Sequence, residues 1–159
     1  MAAIVALGVC RVRAVDKHQV TWLGLPKKPI AISRLGESEI VCIQNGMFAD
    51  TRSEPKPDVV IAKPLPELFG PFEPSPEDVL LLVEISDTSV RYDKEIKAPL
   101  YAEAGIPEYW VLNIPEDVLE VRSDPMNGEY RRTEIYKRGQ TIVAKHLPGT
   151  VFTIDEPLG

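Results

Sequence analysis

Histidine and cysteine are scarce in this sequence: it has two of each, His18 and His146, and Cys10 and Cys42. The cysteine spacing fits no zinc or redox motif, so a metal held by sulfur is not expected and both thiols read as small buried or half-buried side chains. Neither histidine lies in a nucleophile motif, which leaves Ser/His/Asp catalysis and a histidine metal site without material. No run approaches the roughly 18 consecutive apolar residues of a membrane span. The apolar residues 1–10 lack the basic leading region of a signal peptide. The expectation is a soluble cytoplasmic protein with no membrane partner. Positive charge is also in deficit, with 18 Lys and Arg against 24 Asp and Glu for a net charge of -6. Phosphate recognition normally draws on a basic surface, so this balance weighs against nucleic acid as a partner. Local pairs such as Lys27 with Lys28 and Arg131 with Arg132 could still form a basic edge.

What is present suits one hydrophobic core in 159 residues, read as a single domain over 1–159. Residues 1–39 show no confident period. Residues 40–43 are a short β-favouring run followed by Asn45-Gly46, a strong turn signal. Pro55 and Pro57 precede Asp58, which opens the branched run Val59-Val60-Ile61, a second strand. The proline-rich residues 64–77 read as a loop. Residues 79–85, Val-Leu-Leu-Leu-Val-Glu-Ile, are nearly all apolar, as in a central strand buried on both faces. Helical composition follows over 93–104 and stops at Gly105, with Pro99 expected near its first turns. Residues 108–113 form the next strand, expected to pair parallel with 79–85. Residues 119–123 and 130–136 flank Asn127-Gly128 as a second hairpin, and 150–154 supply a last short strand. The class is mixed α/β with many strands.

Glu84 interrupts the apolar run and must either meet solvent at the strand end or be buried with a partner. Asp58 begins a neighbouring strand, so adjacent strands could bring the two carboxylates to one edge. Two such oxygens suit Mg2+ or Mn2+, which prefer hard oxygen ligands and retain waters. Taken alone, each acid reads equally well as a strand-end charge in solvent. Lys97 lies on the helix that follows the Glu84 strand, where an ammonium could polarise a phosphate or hold a nucleophilic water. Equally, Lys94 and Lys97 read as solvated helix lysines paired with Glu95 or Asp93, the commoner fate of such residues.

Pro57-Asp58, then Val83-Glu84-Ile85-Ser86, Tyr92-Asp93 through Lys97, Leu100-Tyr101-Ala102 and Ala104-Gly105-Ile106-Pro107-Glu108-Tyr109-Trp110 together resemble the Uma-type restriction endonuclease family, within the PD-(D/E)XK nuclease superfamily. The resemblance runs from about Ile40 to the end and includes the phrase Ser53-Glu54-Pro55-Lys56-Pro57-Asp58. It implies a restriction endonuclease-like fold, a central mixed sheet flanked by helices with β-hairpins. It also implies Asp58 and Glu84 as ligands of Mg2+ (or Mn2+), DNA as substrate, and a catalytic lysine. The superfamily pattern places that lysine two residues after the second acid, where this chain has Ser86. The resemblance offers Lys97 instead, a lysine moved to the following helix. Gln44 is a further polar candidate, and equally a hairpin-forming amide. A second departure is at the amino end: relatives carry an acidic strand segment and a longer helix, whereas only Asp16, Glu37 and Glu39 are acidic before Ile40.

Two functions follow as expectations. One is a metal-dependent endonuclease in which Asp58 and Glu84 hold the ion and Lys97 assists attack of water on phosphorus. The other is a catalytically inactive nuclease fold acting as a binding or dimerisation module. A homodimer is expected if residues 109–112 form an exposed sheet edge.

Overall fold

The computed structural model describes residues 31–32, 40–43, 57–63, 74–148 and 151–154, with backbone alone at 31–32, 40–43, 151 and 153. The strands are β1 (Ala31–Ile32), β2 (Ile40–Ile43), β3 (Val59–Ala62), β4 (Val79–Ser86), β5 (Glu108–Asn113), β6 (Val118–Met126), β7 (Glu129–Lys137), β8 (Thr141–Val143) and β9 (Val151–Thr153). Between β4 and β5 runs a helix in three parts: α1 (Val90–Tyr92), a π-helical segment (Asp93–Lys97) and α2 (Ala98–Glu103). The architecture is mixed α/β. A sheet in the order β2-β3-β4-β5-β6-β7 is accompanied by a smaller sheet in the order β1-β9-β8. The β4–β5 pair is parallel, as the intervening helix requires, and the other neighbours in both sheets are antiparallel.

The apolar run of β4 is explained by what covers each face. Leu81 and Val83 point with Val59, Ile61, Trp110, Leu119 and Val121 toward Ile142, Leu147, Phe152 and Ile154 of the carboxyl-terminal segment. Leu82 points the other way, with Val60, Tyr109 and Val111, toward Ala98 and Tyr101 of the helix. A strand covered on both sides needs apolar residues at nearly every position, so alternation is lost.

The helix ends where the sequence predicts, at Gly105 with φ +77°. The amides of Gly105 and Ile106 donate to the carbonyls of Ala102 and Tyr101, closing a Schellman turn, and the fully buried Ile106 packs in the same cluster as Tyr101. The helix begins earlier than the expected residue 93, at Val90, and Pro99 lies well inside it rather than near its start. The preceding π segment accommodates the proline: the Ala98 amide reaches back five residues to the Asp93 carbonyl, and the widened turn relieves the crowding a proline ring brings to an α-helix interior.

The second hairpin turns at Asn127-Gly128, with φ 54° and 75°, the paired left-handed conformations of a two-residue turn that matches strand twist. Its strands are longer than 119–123 and 130–136, because the ladder continues to the turn through Pro125–Tyr130 and Met126–Glu129. That extension corrects one expectation. Residues 109–112 are not a sheet edge: β5 lies between β4 and β6, and Tyr109, Trp110 and Val111 are fully buried. Among the described residues the edges of the larger sheet are β2 and β7. The expected turn at Asn45-Gly46, Gln44, the basic pair Lys27 and Lys28, and most of residues 1–39 lie outside the described residues.

Truncating Leu81, buried between the two sheets, should lower stability by about 2–5 kcal/mol as Leu81→Ala. Ile135→Ala, on the β7 edge with 61% exposure, should stay within about 0.5 kcal/mol of wild type. Urea unfolding midpoints at constant m-value check both.

Candidate active site

Strand alternation fixes which side chains share the helix-facing side of the sheet. Val59 pairs with Val83, so the preceding Asp58 lies across from Glu84, and Glu84 pairs in turn with Val111 of β5. The two acids are tied together by the backbone as well: the Ile85 amide donates to Asp58 Oδ2 at 2.8 Å. Glu84 is 2% exposed, and its Oε1 accepts from Lys97 Nζ at 2.8 Å and from the Tyr101 hydroxyl at 3.1 Å. Asp58, Glu84 and Lys97 therefore meet on one face. Of the two helix lysines, Lys97 is the one that reaches Glu84.

Lys97 has a second partner. Its ammonium lies 3.0 Å from Oδ1 of Asp93, one turn earlier on the helix, and its side chain is only 16% exposed. Asp93 is itself buried, and the hydroxyls of Ser86 and Ser89 both donate to its Oδ2. Ser86 thus ties Asp93 to the end of β4. The Tyr109 hydroxyl donates to the Asp93 carbonyl at 3.2 Å and fixes the start of the π segment on the sheet.

Burial pushes the Glu84 carboxyl up to about 7, a rise that Lys97 opposes and that Asp58 and Asp93 reinforce through their negative charge. Burial also works against the Asp93 charge, but the hydrogen bonds from Ser86 and Ser89 and the nearby Lys97 ammonium prevail and hold its carboxyl below the usual range. For Lys97, burial is outweighed by Glu84 and Asp93, which keep its ammonium protonated beyond the ordinary lysine range. Burial beside Glu84 raises the Tyr101 phenol, which stays a neutral donor.

A second charge group sits two strands along the same face. Val111 pairs with Glu120, and Lys94 Nζ lies 2.6 Å from Glu120 Oε2 while Arg122 pairs with Oε1. Arg122 also donates to the Lys94 carbonyl at 3.3 Å. Of the pairings expected for these lysines with Glu95 or Asp93, Lys97 makes the one with Asp93, while Glu95 pairs with Arg91 at 2.9 Å. Asp93 and Glu120 were not among the residues that sequence reasoning selects. Asp93 was legible in principle from the Ser86-Ser89-Asp93-Lys97 spacing, and Glu120 from the alternation Leu119-Glu120-Val121-Arg122.

The donor set suits a small hard cation. Among the described residues no group of three or more His, Cys, Asp and Glu side chains is arranged to hold a metal. One or two carboxylates are nevertheless the usual protein contribution to Mg2+, which keeps waters and takes further oxygens from substrate phosphates, and Asp58 and Glu84 lie across from each other on adjacent strands. Hydrogen bonds from described residues engage one oxygen of each acid, Asp58 Oδ2 and Glu84 Oε1.

A family model described as "Uma2: Putative restriction endonuclease" matches residues 20–155. The chain belongs to this nuclease family, consistently with the PD-(D/E)XK superfamily, and the match starts well before Ile40. No curated protein matches the sequence. Among the described residues no helix is long and apolar enough to cross a membrane.

Between pH 4.5 and about 7 the folded protein holds a proton on Glu84 that the unfolded chain has released, so this group makes stability fall as pH rises through that window. Glu84→Gln cannot titrate there. Its stability relative to wild type should therefore climb across the same window, by on the order of 3 kcal/mol, in urea melts at a series of pH values.

Proposed function

We propose that the protein is a divalent-metal-dependent endonuclease that hydrolyses DNA phosphodiester bonds at the Asp58, Glu84 and Lys97 cluster. The observation that carries this reading is the reach of Lys97 from the helix to a buried carboxylate on the central strand. Asp58 and Glu84 would hold the ion, Mg2+ or Mn2+. When bound, such an ion polarises phosphoryl oxygens and eases deprotonation of water.

The chain's own groups divide the remaining work. Tyr101, donating to Glu84 Oε1, fixes the rotation of that carboxylate and leaves Oε2 as the oxygen not engaged by described donors. Asp58 is oriented in the same way by the Ile85 amide. The protonated Lys97 is a donor rather than a base, so it can stabilise negative charge growing on the non-bridging phosphate oxygens during attack. In the balanced reaction, water oxygen bonds to phosphorus and one ester P–O bond breaks. The proton from water leaves with solvent and the departing sugar oxygen ends as a hydroxyl. The net charge of -6 gives substrate capture little long-range help, so binding must rest on local contacts and the ion.

Cleavage of plasmid and single-stranded DNA with Mg2+ or Mn2+ tests the reading. Glu84→Ala and Lys97→Ala should each lower the rate by about 10²-fold or more, and chelation should abolish it. Equal residual cleavage by wild type and both variants would assign the activity to a contaminant. Metal-independent DNA binding without cleavage would favour the non-catalytic binding module.

A further inference from the structure

Lys97 faces a conflict if a divalent cation is to occupy Glu84. Its ammonium already hydrogen-bonds Glu84 Oε1 at 2.8 Å, and a dication on the same carboxylate would sit close to that positive charge. The conflict needs a second acceptor for the ammonium, and Asp93 supplies one. Both hydroxyl donors to Asp93, from Ser86 and Ser89, converge on Oδ2. Oδ1 is buried and has no aligned hydrogen bond from the described residues, although Lys97 Nζ stands 3.0 Å away. The ammonium is thus hydrogen-bonded to one carboxylate and already ion-paired with a second, whose Oδ1 has no other partner among the described residues. With Nζ already 3.0 Å from Oδ1, the ammonium need only turn its N–H bonds toward it, and the helix is kept in place by the Tyr109 hydroxyl on the Asp93 carbonyl.

From this geometry we infer that Asp93 is a positioning residue that takes over the Lys97 ammonium from Glu84 when a divalent cation binds, keeping the lysine in the cleft and lowering its repulsion of the ion. The inference rests on the metal-site reading of Asp58 and Glu84. It assigns Ser86 and Ser89 a role too: they occupy Oδ2 and so reserve Oδ1 for the lysine. Simple attraction of the ion by the negative charge of Asp93 makes a different forecast, because that attraction acts whether or not Lys97 is present.

A double-mutant cycle on Mn2+ binding, followed by paramagnetic resonance of the free ion, separates these cases. Asp93→Asn should weaken Mn2+ binding about tenfold in the wild-type background and less than about twofold in the Lys97→Met background, an interaction between neighbours of ordinary size. An equal loss in both backgrounds would overturn the transfer while leaving the metal site intact. Absence of Mn2+ binding by wild type, or unaltered binding by Glu84→Gln, would overturn the metal-site reading and the transfer together. Should Asp93→Asn fail to fold, the wild-type protein labelled with 15N-lysine gives the answer, its Lys97 signal identified by its loss in Lys97→Met. Under saturating Mg2+ that ammonium resonance should shift and stay in slow exchange with solvent. Its collapse into the envelope of solvated lysines would overturn the inference.

Discussion

A carboxylate buried in the middle of a sheet is the constraint around which this structure is arranged. Glu84 lies on the strand that both sheet faces cover, and a buried charge without a partner carries a penalty of several kcal/mol. Apolar packing cannot relieve that penalty, so the chain must bring a cation to it. The cation arrives on the helix directly after the strand, and the helix is pinned by Tyr109 and closed at Gly105 so that Lys97 stands over Glu84. Even then the local environment favours a shared or held proton more than an ordinary surface glutamate would, because Asp58 and Asp93 add negative charge to the same space.

The two faces of the sheet follow different rules. On the helix side, charge is gathered in two clusters of three: Lys97 with Glu84 and Asp93, and Lys94 and Arg122 with Glu120. Because Glu84, Val111 and Glu120 are cross-strand neighbours, two lysines three residues apart on one helix reach different strands of one row. On the other side the core is apolar and aromatic, with Trp110 edge-on to Phe152 at 4.7 Å. Among the described residues the one buried acid there, Glu108, is held by the Trp110 indole and the Lys145 amide, both at 2.8 Å, which anchors the segment leading to β9.

Legibility in the sequence tracked how local the determining physics is. The strands around Val83, Trp110 and the Asn127-Gly128 turn could be read because apolar runs and left-handed turn residues act within a few positions. Glu84 was legible for the opposite reason, as a violation of its surroundings. Lys97 could be chosen over Lys94 only by resemblance, since spacing gives both a solvated alternative. Asp93 entered the sequence reading only as a solvated partner for the helix lysines, and its buried role comes from Ser86 on another element. The edge position of residues 109–112, which the sequence offered only as a condition for a dimer, is not met, and strand order depends on where the following hairpin docks, which no single segment encodes. The π segment is equally invisible: it depends on Pro99 and on the sheet beneath, and a composition suited to a helix does not reveal its pitch.

That π segment gives the site a kind of sensitivity separate from its chemistry. A π turn amounts to one extra residue in a helix, and each residue in an α-helix turns the next by about 100°. The angular positions of Lys94 and Lys97 over the sheet therefore depend on the number of residues between Ser86 and the helix end, as much as on which residues they are. A chain one residue shorter here could retain every charged side chain and still turn its lysines away from the carboxylates, so in this fold the reading frame of the helix is itself a component of the site.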